Sequence, residues 1–167
     1  ARMTGLSAQT VSVIMRALEQ DGLLLRGEPL RGKIGQPSIP MSLAADGAFF
    51  LGLKIGRRSA DLVMIEFLGT VRSTHRRVYR YPTPDAVVEF VAHSLPAMLS
   101  LLTPAQRRRV GGLGVAMPFQ LWNWVQALGA PQAEMDSWRD RDIQAELARG
   151  TGLPVYVQND ATSACGA

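Results

Sequence analysis

Two polar residues, Asn159 and Asp160, stand side by side directly after the apolar segment Leu153–Gln158. That segment is predicted to be a strand, and α/β sheets bind ligands in the crevice at the carboxyl ends of their strands. An amide and a carboxylate at such a place offer the donors and acceptors that a vicinal diol requires. The alternative is a structural role, in which Asp160 caps a helix that opens at Ala161.

The N-terminal residues contain a second pattern with chemical meaning. Thr4-Gly5-Leu6-Ser7 precedes an amphipathic segment, as the turn of a helix-turn-helix precedes its recognition helix. We expect Gly5 to relieve the tight turn, Leu6 to plug the core and Ser7 to cap the helix. The alternative is an ordinary amphipathic helix. The candidate DNA-binding residues here are short polar groups and one arginine, which suit base edges and phosphates. They are Ser7, Gln9, Thr10, Ser12 and Arg16.

A hairpin is predicted after this helix. Leu23–Arg26 and Ser38–Leu43 have the character of two short strands, and the segment Gly27–Pro37 between them is rich in glycine, proline and basic residues. In a winged helix such a loop contacts phosphates or a minor groove. The alternative is a solvated hairpin. The candidate wing residues are Arg31, Lys33 and Gln36.

The elements that must position these residues follow from periodicity. The spacing of Val11, Ile14, Met15 and Leu18 gives the first helix one apolar stripe. Further on, a helix begins at Thr83-Pro84, with Pro96 expected to kink or divide it, and Gly150 is expected to stop a later helix. The remaining predicted segments are strands Phe49–Ile55, Ala60–Phe67, Val71–Tyr81 and Val110–Met117, irregular chain over Trp122 to Pro131, and a helix over Arg139–Arg149. The predicted fold is therefore an α/β lobe (46–167) preceded by a partial winged helix-turn-helix (1–45).

Composition narrows the class of protein. The 167 residues are 47% hydrophobic and 19% charged, which excludes a disordered chain. The single cysteine, Cys165, excludes a disulfide framework and a four-thiolate zinc site, and it suits a reducing compartment such as the cytoplasm. The net charge of +4 is uneven, since residues 54–109 carry +6. This distribution favours a polyanionic partner.

Five segments together resemble the ROK family of repressors and sugar kinases: Thr4–Ser7 with Thr10-Val11-Ser12, Leu18–Leu23, Gly32–Pro37, Gly112–Pro118, and Gly152–Thr162 with its Asn-Asp-Ala. The resemblance covers nearly the whole chain. It implies the actin-like ATPase fold (ribonuclease H-like), in which two lobes surround a cleft. It also implies that this chain is a head plus the first lobe, incomplete at both ends. The family's zinc motif belongs to the second lobe, Cys165 does not match it, and no metal or cofactor is expected in this chain.

The resemblance allows a kinase or a regulator, and the segment around Lys54 separates them. Family kinases have an aspartate followed by Gly-Gly-Thr here, which hold Mg²⁺ and phosphate. This chain has Lys54, Arg57 and Arg58 at the corresponding places. A cation cannot bind magnesium, which argues against phosphoryl transfer, although a basic loop could bind an anionic effector. In kinases the residue matching Asp160 is the general base, whereas here the pair would only recognise sugar.

The resulting hypothesis is a sugar-responsive transcriptional regulator that is not an enzyme. Its expected partners are operator DNA and a sugar or sugar derivative, with no membrane, in a homo-dimer or tetramer. Trp122 and Trp124 could stack on a sugar or pack in the core or at an interface, and Trp138 is ambiguous in the same way. The run Arg107–Arg109 is interpreted as a solvated turn, although it could also attract DNA at long range. The alternatives are an ATP-dependent ROK sugar kinase and an actin-like scaffold that binds neither ligand.

Overall fold

The computed structural model describes residues 5–29 and 39–166 and has a mixed α/β architecture, as predicted. A two-stranded hairpin follows the first helix, and a five-stranded sheet with its helices forms the rest. The strands are β1 (Leu24–Arg26), β2 (Met41–Leu43), β3 (Phe49–Ile55), β4 (Ser59–Glu66), β5 (Val71–Val78), β6 (Val110–Met117) and β7 (Val155–Asn159). The α-helices are α1 (Ala8–Gln20), α2 (Pro84–Ser100), α3 (Pro104–Arg107), α4 (Val125–Leu128), α5 (Gln132–Asp136), α6 (Ile143–Thr151) and α7 (Asp160–Cys165). Within the described residues no helix has the length and apolar character needed to cross a bilayer.

Helix α1 begins as predicted, because the Ser7 hydroxyl accepts a hydrogen bond from the Thr10 amide at 3.1 Å. It ends where Gly22 adopts a φ of +71°. No residue of α1 is fully buried, and Leu6 is 44% exposed. The prediction that Leu6 plugs a core is therefore wrong for the described residues. The physical reason is that α1 packs mainly on strand β1 of the hairpin, a surface too small to bury its apolar stripe.

The five-stranded sheet has the order β5-β4-β3-β6-β7. Strands β3, β4 and β5 are antiparallel neighbours, whereas β6 runs parallel to β3 and β7 runs parallel to β6. Alternate residues of β3 and β4 are buried, which is the period of two expected when one face of a sheet is covered. The core on that face includes Phe49, Leu53, Leu62 and Leu113. Because β3, β6 and β7 are parallel, their carboxyl ends lie side by side at the same end of the sheet.

Helix α2 continues through Pro96 to Ser100, so this proline does not divide the helix, while the kink that was the other expectation stays a prediction. Thr83 accepts from the Ala86 amide at 3.3 Å and begins the helix, as expected. Val91, Leu95 and Met98 are buried on both sides of Pro96. Burial of this apolar face stabilises the helix enough to offset the hydrogen bond that proline removes.

Two further segments differ from the prediction. Helix α6 does not stop at Gly150 but continues to Thr151, because Gly152 is the residue that adopts the left-handed conformation, with φ +70°. The segment predicted to be irregular contains a 3₁₀ turn (Leu121–Trp124) and helix α4. Leu121 and Leu128 are buried in the core, and this burial holds the segment in place.

Glu66 is buried at the end of β4, with 2% of the residue exposed. Its carboxylate accepts hydrogen bonds from the amides of Thr70 (2.7 Å) and Leu68 (3.2 Å), which closes the turn between β4 and β5. Hydrogen bonding by Thr70 above all, assisted by Leu68 and by the charge of Arg72, lowers the pKa of Glu66 against the opposing effect of burial.

We expect Glu66→Gln to destabilise the fold in a pH-dependent way. Because the folded-state pKa is lowered, the ionised carboxylate stabilises the protein above the unfolded-state pKa, and this contribution is lost as the pH falls through the folded-state pKa. Thermal unfolding should therefore show a lower Tm for the variant at pH 7 and a smaller difference at pH 3. The control is Glu134→Gln, at an exposed position on α5. A difference that is the same at both pH values would contradict this account.

Candidate functional site

The sheet brings the polar residues of β3 and β7 to one edge. In the register of the parallel strands, Lys54 pairs with Ala116, and Ala116 pairs with Gln158. Met117 pairs with Asn159 one residue later. Because adjacent strands lie about 4.8 Å apart, the backbone of Lys54 is about 10 Å from that of Gln158. The segment around Lys54 and the Asn159–Asp160 pair therefore lie at the same carboxyl edge.

Asn159, rather than Asp160, caps helix α7. Its Oδ1 accepts from the amides of Ala161 (3.1 Å) and Thr162 (3.3 Å), while Asp160 is the first residue of the helix and one of its carboxylate oxygens also accepts from Ala161. The capping interpretation named Asp160 and is corrected in this respect. In the described residues the Asn159 amide nitrogen and the second Asp160 oxygen make no hydrogen bond. The pair thus still presents one donor group and one charged acceptor.

The turn between β3 and β4 is held by bonds within the chain. The Gly56 amide donates to the Ser59 carbonyl at 2.9 Å, and the Tyr79 hydroxyl donates to the Gly56 carbonyl at 2.9 Å. The Tyr79 amide also donates to the Arg58 carbonyl, and the Arg58 guanidinium donates to the Arg80 carbonyl. Burial raises the pKa of Tyr79, with a further contribution from the charge of Asp61, so the phenol remains a donor. Strand β5 ends at Val78, before these bonds, and not at Tyr81 as predicted.

Lys54 is exposed and has no carboxylate within ion-pair distance among residues 5–29 and 39–166. Asp61 lies opposite it in the register of β3 and β4. The Asp61 carboxylate, however, lies 3.4 Å from the Arg76 Nε and accepts from the Ser59 hydroxyl at 3.2 Å. The charge of Lys54 is therefore available to solvent near the carboxyl end of β3.

The tryptophans after β6 are engaged by protein groups. The Arg57 guanidinium lies 4.8 Å from the ring centre of Trp124, and that of Arg139 lies 5.5 Å from the ring centre of Trp122. One face of each ring is thus covered by a cation. Trp138 is buried and donates to the Pro82 carbonyl at 3.1 Å. Stacking of Trp122 or Trp124 on a sugar stays a prediction.

The candidate DNA-binding residues of α1 and its cap are all exposed: Ser7, Gln9, Thr10, Ser12 and Arg16. Their hydroxyls are partly committed, since Ser7 and Thr10 share a hydrogen bond of 2.8 Å and Ser12 donates to the Ala8 carbonyl at 2.9 Å. Gln9 and Arg16 make no side-chain hydrogen bond to another described residue. These two are consequently the groups best able to reach a partner. The wing candidates Arg31, Lys33 and Gln36 lie outside the described residues.

The basic run Arg107–Arg109 is not a simple solvated turn. Arg107 donates to the carbonyls of Leu99 and Leu102. Arg109 donates to the carbonyls of Gly47 (3.0 Å) and Asp21 (2.7 Å), far away in the sequence. The bonds of Arg107 and Arg109 were not predicted, because a run of like charges gives no sign of which member reaches backbone carbonyls. Only Arg108 fits the solvated interpretation.

The chain is similar to curated proteins that are regulators. It is 28% identical over 170 residues to a transcriptional regulator of Mycobacterium bovis, covering 100% of this chain and 37% of the relative. It is 19% identical over 167 residues to the xylose repressor of Bacillus subtilis, covering 98% of this chain and 41% of the relative. The chain therefore spans about two fifths of the length of these relatives. No family model matches the chain.

Solved structures share its fold. A ROK family transcriptional regulator, a homologue of the E. coli MLC protein, matches 95% of this chain and 40% of its own, with 19% identity and a TM-score of 0.58. A ROK family glucokinase from Streptomyces griseus, in complex with glucose and AMPPNP, matches 71% of this chain and 35% of its own, with 19% identity and a TM-score of 0.51. The fold is thus the actin-like ATPase fold of these proteins. The resemblance to ROK family transcriptional regulators that the sequence motifs indicated is confirmed.

Proposed function

We propose that this chain is the DNA-binding head and first lobe of a sugar-responsive transcriptional repressor that has no kinase activity. Residues 1–45 form the head and residues 46–167 the effector lobe. The head reads operator DNA through α1 and the loop between β1 and β2, and the lobe binds a sugar or sugar derivative at Asn159 and Asp160. The regulator names of its relatives support this assignment.

The observation that carries the proposal is the surface of α1. The helix is attached to a folded lobe yet leaves Gln9 and Arg16 exposed and without a described partner. An amide that can contact adenine and a guanidinium that can contact guanine or phosphate then lie two turns apart on one helix. A head of this kind reads successive major grooves only in a two-fold assembly, with heads about 34 Å apart. We therefore propose a dimer or tetramer as the functional form.

The absence of kinase activity is supported by the turn between β3 and β4. A phosphate loop needs backbone amides that point at the ligand and an acid that holds the metal. Here the Gly56 amide donates to Ser59, and the place of the acid is taken by Lys54. Arg57 and Arg58 are engaged by Trp124 and the Arg80 carbonyl. This arrangement lacks parts that phosphoryl transfer requires.

The kinase alternative is favoured by the likeness to ROK kinase structures and is tested by a coupled ADP-release assay. The natural full-length polypeptide is incubated with ATP, Mg²⁺ and a panel of hexoses and pentoses. We expect no sugar-dependent ADP release, together with release of a selected operator duplex by one of the sugars. Sugar-dependent ADP release would contradict the proposal. An absence of both binding activities would favour the scaffold alternative.

We expect Asp160→Ala to abolish the sugar response and leave operator affinity within about twofold of the wild type. The sugar response is lost because the carboxylate is one of two groups proposed to hold the sugar. Operator affinity is kept because this residue lies on the lobe, away from α1. The measurement is the operator Kd by fluorescence anisotropy with and without the inducing sugar. The matched control is Asp140→Ala, at an exposed acidic position in the lobe. A variant at Asp160 that still releases DNA on addition of sugar would show that the site is elsewhere.

A further inference from the structure

Arg109 connects the lobe to the C-terminus of α1. It directly precedes β6, and its guanidinium donates to the carbonyl of Asp21, the C-cap residue that follows α1, at 2.7 Å. The same guanidinium donates to the carbonyl of Gly47, in the short 3₁₀ turn between head and lobe, at 3.0 Å. One side chain therefore holds three segments that are far apart in the sequence. Its charge also suits the negative end of the helix dipole, since the last turn of α1 contains no basic residue.

Two glycines lie beside this contact. A β-carbon at Gly22 would lie 2.7 Å from a guanidinium nitrogen of Arg109, and the φ of +71° also favours glycine. A β-carbon at Gly47 would lie 3.2 Å from the Gly22 carbonyl and 3.1 Å from the Phe67 ring. The end of α1 and the junction are thus in close backbone contact, and at Gly22 it is the positive φ that favours glycine.

Among residues 5–29 and 39–166, no other side chain of the lobe donates a hydrogen bond to α1 or to its cap. The ion pair between Arg72 and Asp46 also bridges lobe and junction, but it is 3.9 Å long and both side chains are largely exposed, so it contributes little. The backbone bonds Ala44–Leu23 and Phe67–Ala45 attach the hairpin and the junction but do not reach the helix. Arg109 therefore adds a direct side-chain connection from the lobe to the end of α1, beside the packing of α1 on β1.

Strand β6 places Arg109 and the proposed ligand site at its two ends. The Arg109 carbonyl accepts from the Phe49 amide at 3.0 Å, which fixes the start of β6 beside the start of β3. At the other end Met117 pairs with Asn159. The eight residues of the strand span about 26 Å. A single interior strand of the sheet therefore connects the two places, which is a continuous physical path between them.

We propose that Arg109 is the positioning residue that fixes the DNA-reading helix on the lobe and transmits the state of the ligand site to it. The parts of this inference that concern DNA and sugar rest on the proposed function. A ligand that moves β6 relative to β3 shifts the Arg109 guanidinium, and with it the Asp21 carbonyl and the end of α1. Arg109 contacts neither DNA nor sugar in this scheme and acts only through the geometry of the helix.

The test compares Arg109→Gln with Arg108→Gln in the natural full-length polypeptide. The two variants remove the same charge one residue apart, and Arg108 makes no side-chain hydrogen bond to a described residue. The first measurement is amide hydrogen exchange of residues 21–23, whose amides donate to the carbonyls of Ala17, Glu19 and Leu18 and close the end of α1. We expect exchange about tenfold faster in Arg109→Gln and unchanged in Arg108→Gln. Equal exchange in the two variants would overturn the inference.

The second measurement is the ratio of operator Kd values with and without the inducing sugar. Couplings of this kind are typically about 5- to 150-fold, and we expect the ratio to fall to within about twofold of unity in Arg109→Gln alone. Sugar affinity measured by calorimetry should remain unchanged, which a merely unfolded variant would not show. An intact ratio in Arg109→Gln would overturn the inference. The exchange measurement uses no DNA, so failure of the wild type to bind any duplex would count against the proposed function only.

Discussion

Replacing Gly112 by alanine is expected to lower the free energy of unfolding by about 1–3 kcal/mol, the usual cost of a residue forced into an unfavourable backbone conformation. Gly112 has a φ of +155°, and a β-carbon there would lie 2.8 Å from the Pro154 carbonyl oxygen. That oxygen accepts from the Leu113 amide at 2.9 Å at the start of the pairing between β6 and β7. Because the neighbour is backbone, it cannot move aside without disturbing the strand that ends at Asn159.

Gly114→Ala is the matched control, since it introduces the same methyl group two residues later in the same strand. A β-carbon at Gly114 would have its nearest neighbour, the Leu51 carbonyl, at 3.9 Å, an ordinary contact. We expect urea unfolding of this variant to match the wild type within about 0.5 kcal/mol. If the two alanine variants were equally stable, the close approach of β6 and β7 would not be the reason for glycine at position 112.

Removing the Gln9 and Arg16 side chains together should abolish specific DNA binding. Each base or phosphate contact of this kind contributes about 1–3 kcal/mol, so each single alanine variant should raise the operator Kd roughly 5- to 150-fold. The double variant should bind the operator no more tightly than it binds unrelated duplexes. The probe is an operator selected from random duplexes with the natural full-length polypeptide, and the measurement is anisotropy at several salt concentrations.

The salt dependence separates the two contributions. If Arg16 contacts a phosphate, its loss reduces the slope of log K against log salt by about one, whereas loss of Gln9 changes sequence preference and leaves the slope alone. The control is Gln20→Ala, an exposed glutamine at the other end of the same helix. Unaltered affinity in both single variants would show that α1 does not contact DNA.

Strong periodicity made the sheet predictable from the sequence. The predicted bounds of Phe49–Ile55 and Val110–Met117 agree with β3 and β6. Strand β3 buries alternate residues and is followed by Gly56, whereas β6 is an apolar segment that ends before Pro118. The edge strand β5 is shorter than predicted, since its alternation continues beyond the point where Tyr79 turns to bond Arg58 and Gly56. Alternation predicts which face a residue occupies, but the end of an edge strand depends on tertiary bonds.

The candidate site was only partly predictable for a similar reason. The Asn-Asp pair was found, because polar residues after an apolar strand are a local signal, but the choice of capping residue depends on backbone geometry at Asn159. The partners of Arg57, Arg109 and Arg139 were not foreseen. Each guanidinium contacts a residue that lies between 17 and 88 positions away, and spacing in a single sequence contains no information on such contacts.

The positions of the tryptophans have an optical consequence. All three, Trp122, Trp124 and Trp138, come after β6, and the head contains none. Intrinsic indole emission from this chain therefore originates in the lobe alone. Because Arg57 and Arg139 lie over two of the rings, any displacement of the turn after β3 alters the environment of a fluorophore at the carboxyl edge of the sheet, without an added label.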